Sequence, residues 1–331
     1  MEFALDEDQR ELAATVRAAL EKRADSAAVR AAMESSTGYD ADLWATLAQQ
    51  IGVAALAVPE EYDGVGATFF ETAIALEELG RTVAPSPLLG TTVATQALLA
   101  GGTEEAKTRL LPRLAAGEVG AVVLAQDGPT LDADRATILL AVRGTDLVEL
   151  TGAAATPAET MDQTIRLGDV DPTGATATVV GDGAAARSRA DLVLAAGAAA
   201  LAVGLAQRAL DETVDYAKQR QQFGRPIGSF QALKHRMADL LVRTEIARSA
   251  SWAASYALDD PAASAEETAL LVHTAAAYAV EAARLVTGEA IQLHGGIAIT
   301  WEHDAHLWFK RAHALGELAG QPHRHRAAVP L

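Results

Sequence analysis

Three stretches of this chain carry the groups that could do chemistry. The first is YAKQRQQFGRPIGSFQALKHRMADL, residues 216–240, which sets an arginine (Arg220), an aromatic (Phe223) and a glycine turn between two helical patterns. Gln231 falls on the first turn of the second pattern. A cation, exposed amides beside a helix start and an aromatic ring suit an anionic, ring-bearing ligand such as a dinucleotide. The same residues equally suit a plain helix hairpin in which Arg and Phe only pack, and the residues alone leave both readings open. The second stretch is the histidine-rich tail, since six of the eight histidines lie between His294 and His325. His303 and His306 are three apart and can share a helix face. A metal site needs further converging ligands, so none is expected. The third is LGELAGQP, residues 315–322, where a helix carrying Glu317 reaches Ala319 and then a glycine. With no cysteine in the chain, thiolate nucleophiles, disulfides and cysteine metal sites are excluded. No GxGxxG or P-loop follows a strand pattern, so a bound nucleotide would be held in another way.

The elements that must position these residues are mostly helical. Half of the residues are apolar and only 5% are aromatic, and the abundance of alanine favours closely packed helices. DEDQRELAATVRAALEKR puts Leu12, Val16 and Leu20 on one face behind an Asp6 N-cap. DADLWATLAQQIG is a second helix stopping at Gly52, followed by the extended stretch VAALAVPEEYDGVGA. FFETAIALEELGR and LLGTTVATQALLAGG read as helices closed by glycine, and TEEAKTRLLPRLAAGE as a short one. From Gly120 the period changes: AVVLAQD, ATILLAVRG, DLVELTG and ATATVVGDG read as strands in a β-block ending near Ala186. Helices return over 191–220, after the turn GRPIGS, from Ala265, and from around Trp301. Short connections between them imply an antiparallel bundle. The uncharged apolar run 192–206 is too short to span a bilayer and reads as a buried core helix. The expected fold is mainly α with a small β-domain (α+β): an N-terminal helical domain over 1–118, a reduced middle β-domain over 119–187 and a four-helix bundle over 188–331.

A formal charge of −17 disfavours binding to the phosphates of nucleic acid or to an anionic membrane surface. The N-terminus MEFALDEDQR has no basic region followed by an apolar run, so no signal peptide is expected. A cytoplasmic protein with neither a nucleic-acid nor a membrane partner is the expectation.

RQQFGRPIGSFQ closely resembles the RxxFGxxxxxxQ signature of the acyl-CoA dehydrogenase family, and QLHGGIA at 292–298 resembles that family's QxxGGxG. The resemblance covers nearly the whole chain. It implies the family's three-part fold and FAD as cofactor. In family tetramers these two motifs reach across a subunit interface to the ADP portion of a neighbour's FAD. Carried over, Arg220 pairs with the pyrophosphate, and Phe223, Gln231, Gln292, Gly295 and Gly296 line the adenosine side. Members turn an acyl-CoA into a trans-2-enoyl-CoA, with the α-proton taken by a carboxylate and the β-hydride passed to the flavin.

The chain departs from this pattern where that chemistry is done. In the common branch the base is a glutamate directly before a glycine; 27 residues on from Gln292 that place holds Ala319. A second branch carries its glutamate at a position that aligns near Leu194, also not an acid. The fallback base is Glu317, yet on a helix it points about 200° away from Ala319. Glu289 reads as an ordinary helix-surface charge. The family's TEPGAGSD-like loop and Trp-x-Thr/Ser segment have no counterpart in VVLAQDGPTLDADRATI, and no tryptophan lies between Trp44 and Trp252. The resemblance with these losses implies a non-catalytic subunit of a heteromeric (α2β2) FAD-dependent dehydrogenase. Its larger partner would carry the catalytic Glu, share the FAD, hold most of the acyl-CoA and pass electrons to an acceptor. The pattern is similar to two-gene actinobacterial enzymes acting on steroid side-chain CoA thioesters. A self-sufficient enzyme with a relocated base and a flavin-free structural paralogue are the alternatives.

Overall fold

The computed structural model describes residues 4–124 and 128–329, so the end of the AVVLAQD stretch, residues 125–127, lies outside the described residues. In chain order the helices are α1 (Glu7–Arg23), α2 (Ser26–Glu34), α3 (Ala41–Ala45), α4 (Phe69–Thr82), α5 (Leu88–Gly101), α6 (Glu104–Ala115), α7 (Gly183–Gln219), α8 (Gln231–Ala257), α9 (Ala265–His294), α10 (Ala305–Ala319) and α11 (Pro322–Ala328). The strands are β1 (Gly120–Val123), β2 (Thr130–Leu131), β3 (Ile138–Arg143), β4 (Asp146–Thr151), β5 (Ala154–Pro157), β6 (Leu167–Asp171), β7 (Thr176–Asp182), β8 (Gln221–Gln222) and β9 (Arg225–Pro226). The chain forms two compact units, one of Leu5–Ala75 with Ala84–Leu194 and the other of residues 76–83 with 195–329. The mainly α fold with a small β portion is the one expected.

In the first unit, local chemistry sets the helix starts. Asp6 accepts from the Gln9 N–H at 2.8 Å while the Gln9 amide oxygen accepts from the Asp6 N–H at 3.1 Å, a reciprocal cap. Asp25, Asp40 and Thr103 cap α2, α3 and α6 one-sidedly, by side-chain acceptors alone. Helix α2 was not foreseen: SAAVRAAME is short, although Asp25 is a legible cap. The DADLW helix passes into a π turn (Thr46–Ile51) before Gly52 stops it with a left-handed φ of 85°. VAALAVPEEYDGVGA is not extended; it folds as turns around a short 3₁₀ helix, Glu60–Tyr62. Helix α5 is buried nearly all round, which explains its uniformly apolar sequence. Two sheets form, β1-β3-β4-β7 and β2-β6-β5; β1 and β3 run parallel and the other pairs antiparallel. Leu139, Ala141, Val148 and Leu150 bury one face of the larger sheet.

The second unit is the bundle. Helix α9 lies at its centre against α8, α10 and α11, and buries Val272, Ala275, Ala279, Val286 and Ala290. Ser264 caps it, accepting from the Glu267 N–H at 3.1 Å. Helix α7 begins at Gly183, eight residues before the expected 191, because Asp182 caps it by accepting from Ala184 and Ala185 N–H at 2.7 and 3.0 Å. The β-block therefore ends at Asp182 rather than near Ala186. Gly80 does not close α4 but lies inside it, where a Cβ would fall 2.2 Å from the Leu201 carbonyl oxygen. Gly204 is tighter still, 1.8 Å from the Glu77 carbonyl oxygen. The small residues thus let two backbones touch. Buried Glu77 pairs with Arg248 and accepts from Trp252 Nε1 at 3.0 Å, so its charge is compensated. The last long helix starts at Ala305, after a turn, not at Trp301, and α11 follows it unforeseen. Helices Gly183–Gln219 and Ala265–Ile299 are long and apolar enough to cross a membrane, with 78% and 50% of their apolar windows buried in the protein. The first contains the run 192–206 and is a core helix, as expected, though far longer than that run.

Candidate functional site

The first motif is built on a tight hairpin. Helix α7 ends with the Arg220 N–H donating to the Tyr216 carbonyl at 2.8 Å, and the Ile227 N–H returns to the Arg220 carbonyl at 2.8 Å. Between them β8 pairs with β9 across Phe223 and Gly224, whose φ values are 53° and 75°. Two successive positive φ angles make the mirror-type turn that fits hairpin twist, and glycine takes it freely. For Phe223 the same backbone costs about 1–2 kcal/mol. Its ring is nevertheless 90% exposed and meets Phe230 edge-on, centroid to centroid 6.1 Å. Arg220 is also exposed, with no ion-pair partner among the described residues. Gln231 opens α8, exposed, and its amide lies 3.5 Å from His235 Nε2.

The second motif is the C-terminal cap of α9. Gln292 is exposed on the last turn. Gly295 takes φ 69° and ψ −148°, a conformation reserved to glycine, and its N–H caps the Ile291 carbonyl. Gly296 is different. Its φ is not positive and a Cβ would meet nothing within 4 Å. Nothing among the described residues requires glycine there.

The bundle brings the two motifs together. The Tyr216 ring, one turn before Arg220, stacks on His294 at 4.5 Å and 29°. Arg236, near the start of α8, pairs with Glu289 at 2.5 Å near the end of α9. Glu289 is thus a half-buried helix-to-helix ion pair and not the plain surface charge expected. Sequence reasoning missed Tyr216, His294 and Arg236. Their nearness to the motifs was a signal, but partners so distant along the chain left no local pattern. His303 and His306 do not act together: His303 packs on His294 at 4.7 Å, and His306 stacks on Trp301 at 4.7 Å. Among the described residues no group of three or more His, Cys, Asp or Glu converges as metal ligands do.

Ala319 is the last residue of α10, before Gly320 at φ 108°. His325 on α11 folds back so that its Nε2–H donates to the Ala319 carbonyl at 2.9 Å. Its Nδ1 then accepts from His273 Nδ1–H at 2.9 Å, which fixes the neutral tautomer of both rings. Burial holds the pKa of His325 and His273 below the ordinary histidine range. Arg284 fills the space beside them, donating to the Gln321 amide oxygen at 2.8 Å and to the His313 carbonyl at 3.2 Å. Gln321 in turn donates to Glu317, which is exposed. The arrangement positions a methyl group, not a carboxylate, where the alignment sought a base.

The family model for the acyl-CoA dehydrogenase N-terminal domain matches residues 6–118, and that for the C-terminal domain matches residues 187–329. Two curated relatives carry the name acyl-CoA dehydrogenase IpdE2. The Mycolicibacterium smegmatis protein is 46% identical over 96% of this chain and 96% of its own length. The Mycobacterium tuberculosis protein is 46% identical over 96% of this chain and 94% of its own. Among solved structures, a variant of the Tcur3481-Tcur3483 steroid ACAD superposes with a TM-score of 0.86 at 26% identity, covering 98% of this chain and 96% of that one. The ChsE4-ChsE5 complex from Mycobacterium tuberculosis superposes with a TM-score of 0.87 at 22% identity, covering 99% and 98%, a likeness of fold. By these family matches and this identity over nearly its whole length, the chain belongs to the acyl-CoA dehydrogenase family, oxidoreductases whose members bind FAD.

Proposed function

We propose that this chain is the non-catalytic subunit of a heteromeric FAD-dependent acyl-CoA dehydrogenase and completes the FAD site of a larger partner subunit in trans. The observation that carries the reading is the outward set of its cofactor-type residues. Arg220, Phe223, Gln231, Gln292, Gly295 and Gly296 all face solvent, with the Phe223 ring held out on a strained backbone and open space over Gly296. Apart from the Gly295 cap and the contacts of Gln231 and Phe223 described above, these groups are left open and are disposed to meet another chain.

These residues fit one half of FAD. The Arg220 guanidinium would take the pyrophosphate as a charge-assisted donor. Gln231 and Gln292 would offer amides, Phe223 a ring face, and the two glycines a backbone open to close approach. They do not fit the flavin half, for which the chain offers Ala319 and a tryptophan-free strand region. FAD, when bound, supplies the hydride acceptor for α,β-dehydrogenation of an acyl-CoA. This chain's part is to hold the cofactor, while the catalytic glutamate and most of the acyl-CoA pocket belong to the partner. Glu317 is a poor substitute, being exposed and engaged by Gln321.

The steroid ACAD at 26% identity, named by two components, supports a heteromeric assembly and a steroid-derived substrate, and the α2β2 stoichiometry and the side-chain CoA thioester are part of the proposal. A cytoplasmic setting is part of the same proposal, on the acidic, cysteine-free composition. The test is co-expression with the neighbouring larger dehydrogenase, purification and a count of flavin per chain. One FAD for each pair of unlike chains is expected. One FAD per chain, with this protein active alone, would overturn the reading and make Glu317 the first residue to replace.

A further inference from the structure

The proposed contact residues sit on two separate segments, the hairpin after α7 and the cap of α9. One dinucleotide can touch both only while their spacing is held. We infer that Tyr216 and His294 are positioning residues that set this spacing, an inference that rests on the FAD reading above. Tyr216 lies on the last turn of α7, and its carbonyl takes the Arg220 N–H at 2.8 Å, so its position is passed directly to Arg220. His294 is the last residue of α9, between Gln292 and Gly295 in sequence. Their rings stack at 4.5 Å and 29°. The His294 ring has no freedom of its own: it is only 4% exposed, and its Nδ1–H donates to the Ala290 carbonyl at 2.7 Å, one turn back. His303 packs against it at 4.7 Å and Trp308 presents its edge at 6.5 Å. The ring is a spacer packed between two aromatic walls.

The ion pair between Arg236 and Glu289 ties α8 to α9, but Tyr216 and His294 make the tie nearest the motifs. The charged or titratable groups facing His294 are Glu212 and Tyr216 from α7 and His303 from the turn before α10. Burial, joined by His303, outweighs the Ala290 hydrogen bond and Glu212 and lowers the pKa of the ring, which favours the form that stacks without bringing a charge into the core.

The experiment uses the complex with the larger subunit and reads two quantities, the FAD Kd by equilibrium titration and the melting temperature of the apo complex. Tyr216→Leu and His294→Leu are expected to raise the FAD Kd about five- to tenfold, the scale of a lost aromatic pair. Tyr216→Phe keeps the ring and is expected to restore the wild-type value within twofold. If both leucine variants melt earlier yet bind FAD with wild-type Kd, the pair is merely structural and the inference falls. If His294→Leu gives no soluble complex, the Tyr216→Leu and Tyr216→Phe comparison decides alone. Arg220→Ala separates the two levels. Loss of FAD there with no effect of Tyr216→Leu overturns only this inference, whereas retention of FAD in Arg220→Ala overturns the shared-site reading beneath it.

Discussion

Two regions of the bundle treat their polar groups in opposite ways. Around Ala319 the groups pair with one another: the Ala319 carbonyl takes His325, His325 takes His273, and Arg284 takes Gln321 and a helix carbonyl. Around Phe223 and Gly296 a cation, two amides, a ring and bare backbone turn outward, with only the Gln231–His235 and Phe223–Phe230 contacts noted above among the described residues. Folding by itself accounts for the first arrangement, since polar groups buried without partners lower stability, whereas the exposed groups are met by water and only the backbone strain at Phe223 is a cost. The second leaves those groups free to meet a partner outside the chain, which is the reading proposed above. Under the proposed function, the closed corner would stand where the base is lacking and the open end where a neighbour's cofactor is met.

The sharpest way to break this comparison is at the open end. Arg220→Ala is expected to raise the FAD Kd of the complex about 10- to 100-fold, as for one charge-assisted pair to phosphate. The melting curve of the apo complex should not move. A shift in melting without a change in Kd would assign Arg220 to packing. The matching change in the closed corner is Arg284→Met, which keeps the length of the side chain and removes its donors. It strips the donor from Gln321 and from the His313 carbonyl and is expected to cost about 2 kcal/mol of stability. Denaturation midpoints check this, and the FAD Kd should stay within twofold. An equal effect on Kd would mean that the two regions are coupled and the contrast is false.

How much of this was legible in the sequence depended on range. The Asp6 cap, the Gly52 stop, strands β3 and β4 and both motifs are local patterns, and they were read correctly as elements. Gly80 misled because glycine after an apolar pattern ordinarily ends a helix. Here it lets the backbone of Leu201 approach, a tertiary reason that no window contains. The early start of α7 was hidden because GAAARSR lacks an apolar period, while the Asp182 cap that starts it lies in a strand. Within the site, the motif residues were legible by resemblance, but their framework was not. Tyr216 with His294 and Arg236 with Glu289 are pairs made by the packing of helices.

A smaller effect separates the regions by pH. Burial lowers the pKa of His273 and His325 in the folded chain, so the unfolded chain binds protons more readily. Their contribution is complete above about pH 6.5, the unfolded histidine value, and is lost as pH falls through the lower folded values. A proton on His325, whose Nδ1 is the acceptor, would also set N–H against N–H across their 2.9 Å contact. Stability measured from pH 7.5 down to 5 should therefore decline, and less steeply in His325→Asn. Because burial lowers His294 and His313 as well, some decline should remain in that variant. An unchanged slope would remove His325 from the account.

The smallest expected effect is the most telling. Phe223 pays about 1–2 kcal/mol for its left-handed backbone, and a ring 90% exposed recovers little of that by burial. Phe223→Gly removes the strain but gives the unfolded chain about 0.5–1 kcal/mol more conformational entropy. The net expectation is a gain of roughly 0.5 kcal/mol for the apo complex, since strain relief slightly exceeds the entropic term. The FAD Kd should move the other way, rising several-fold with the loss of a ring face. Opposite signs in the two measurements are what a residue held ready for another chain's cofactor must give. If both stability and affinity fall, Phe223 is holding its own hairpin through the Phe230 edge contact, and the strain at 223 has a purely internal cause.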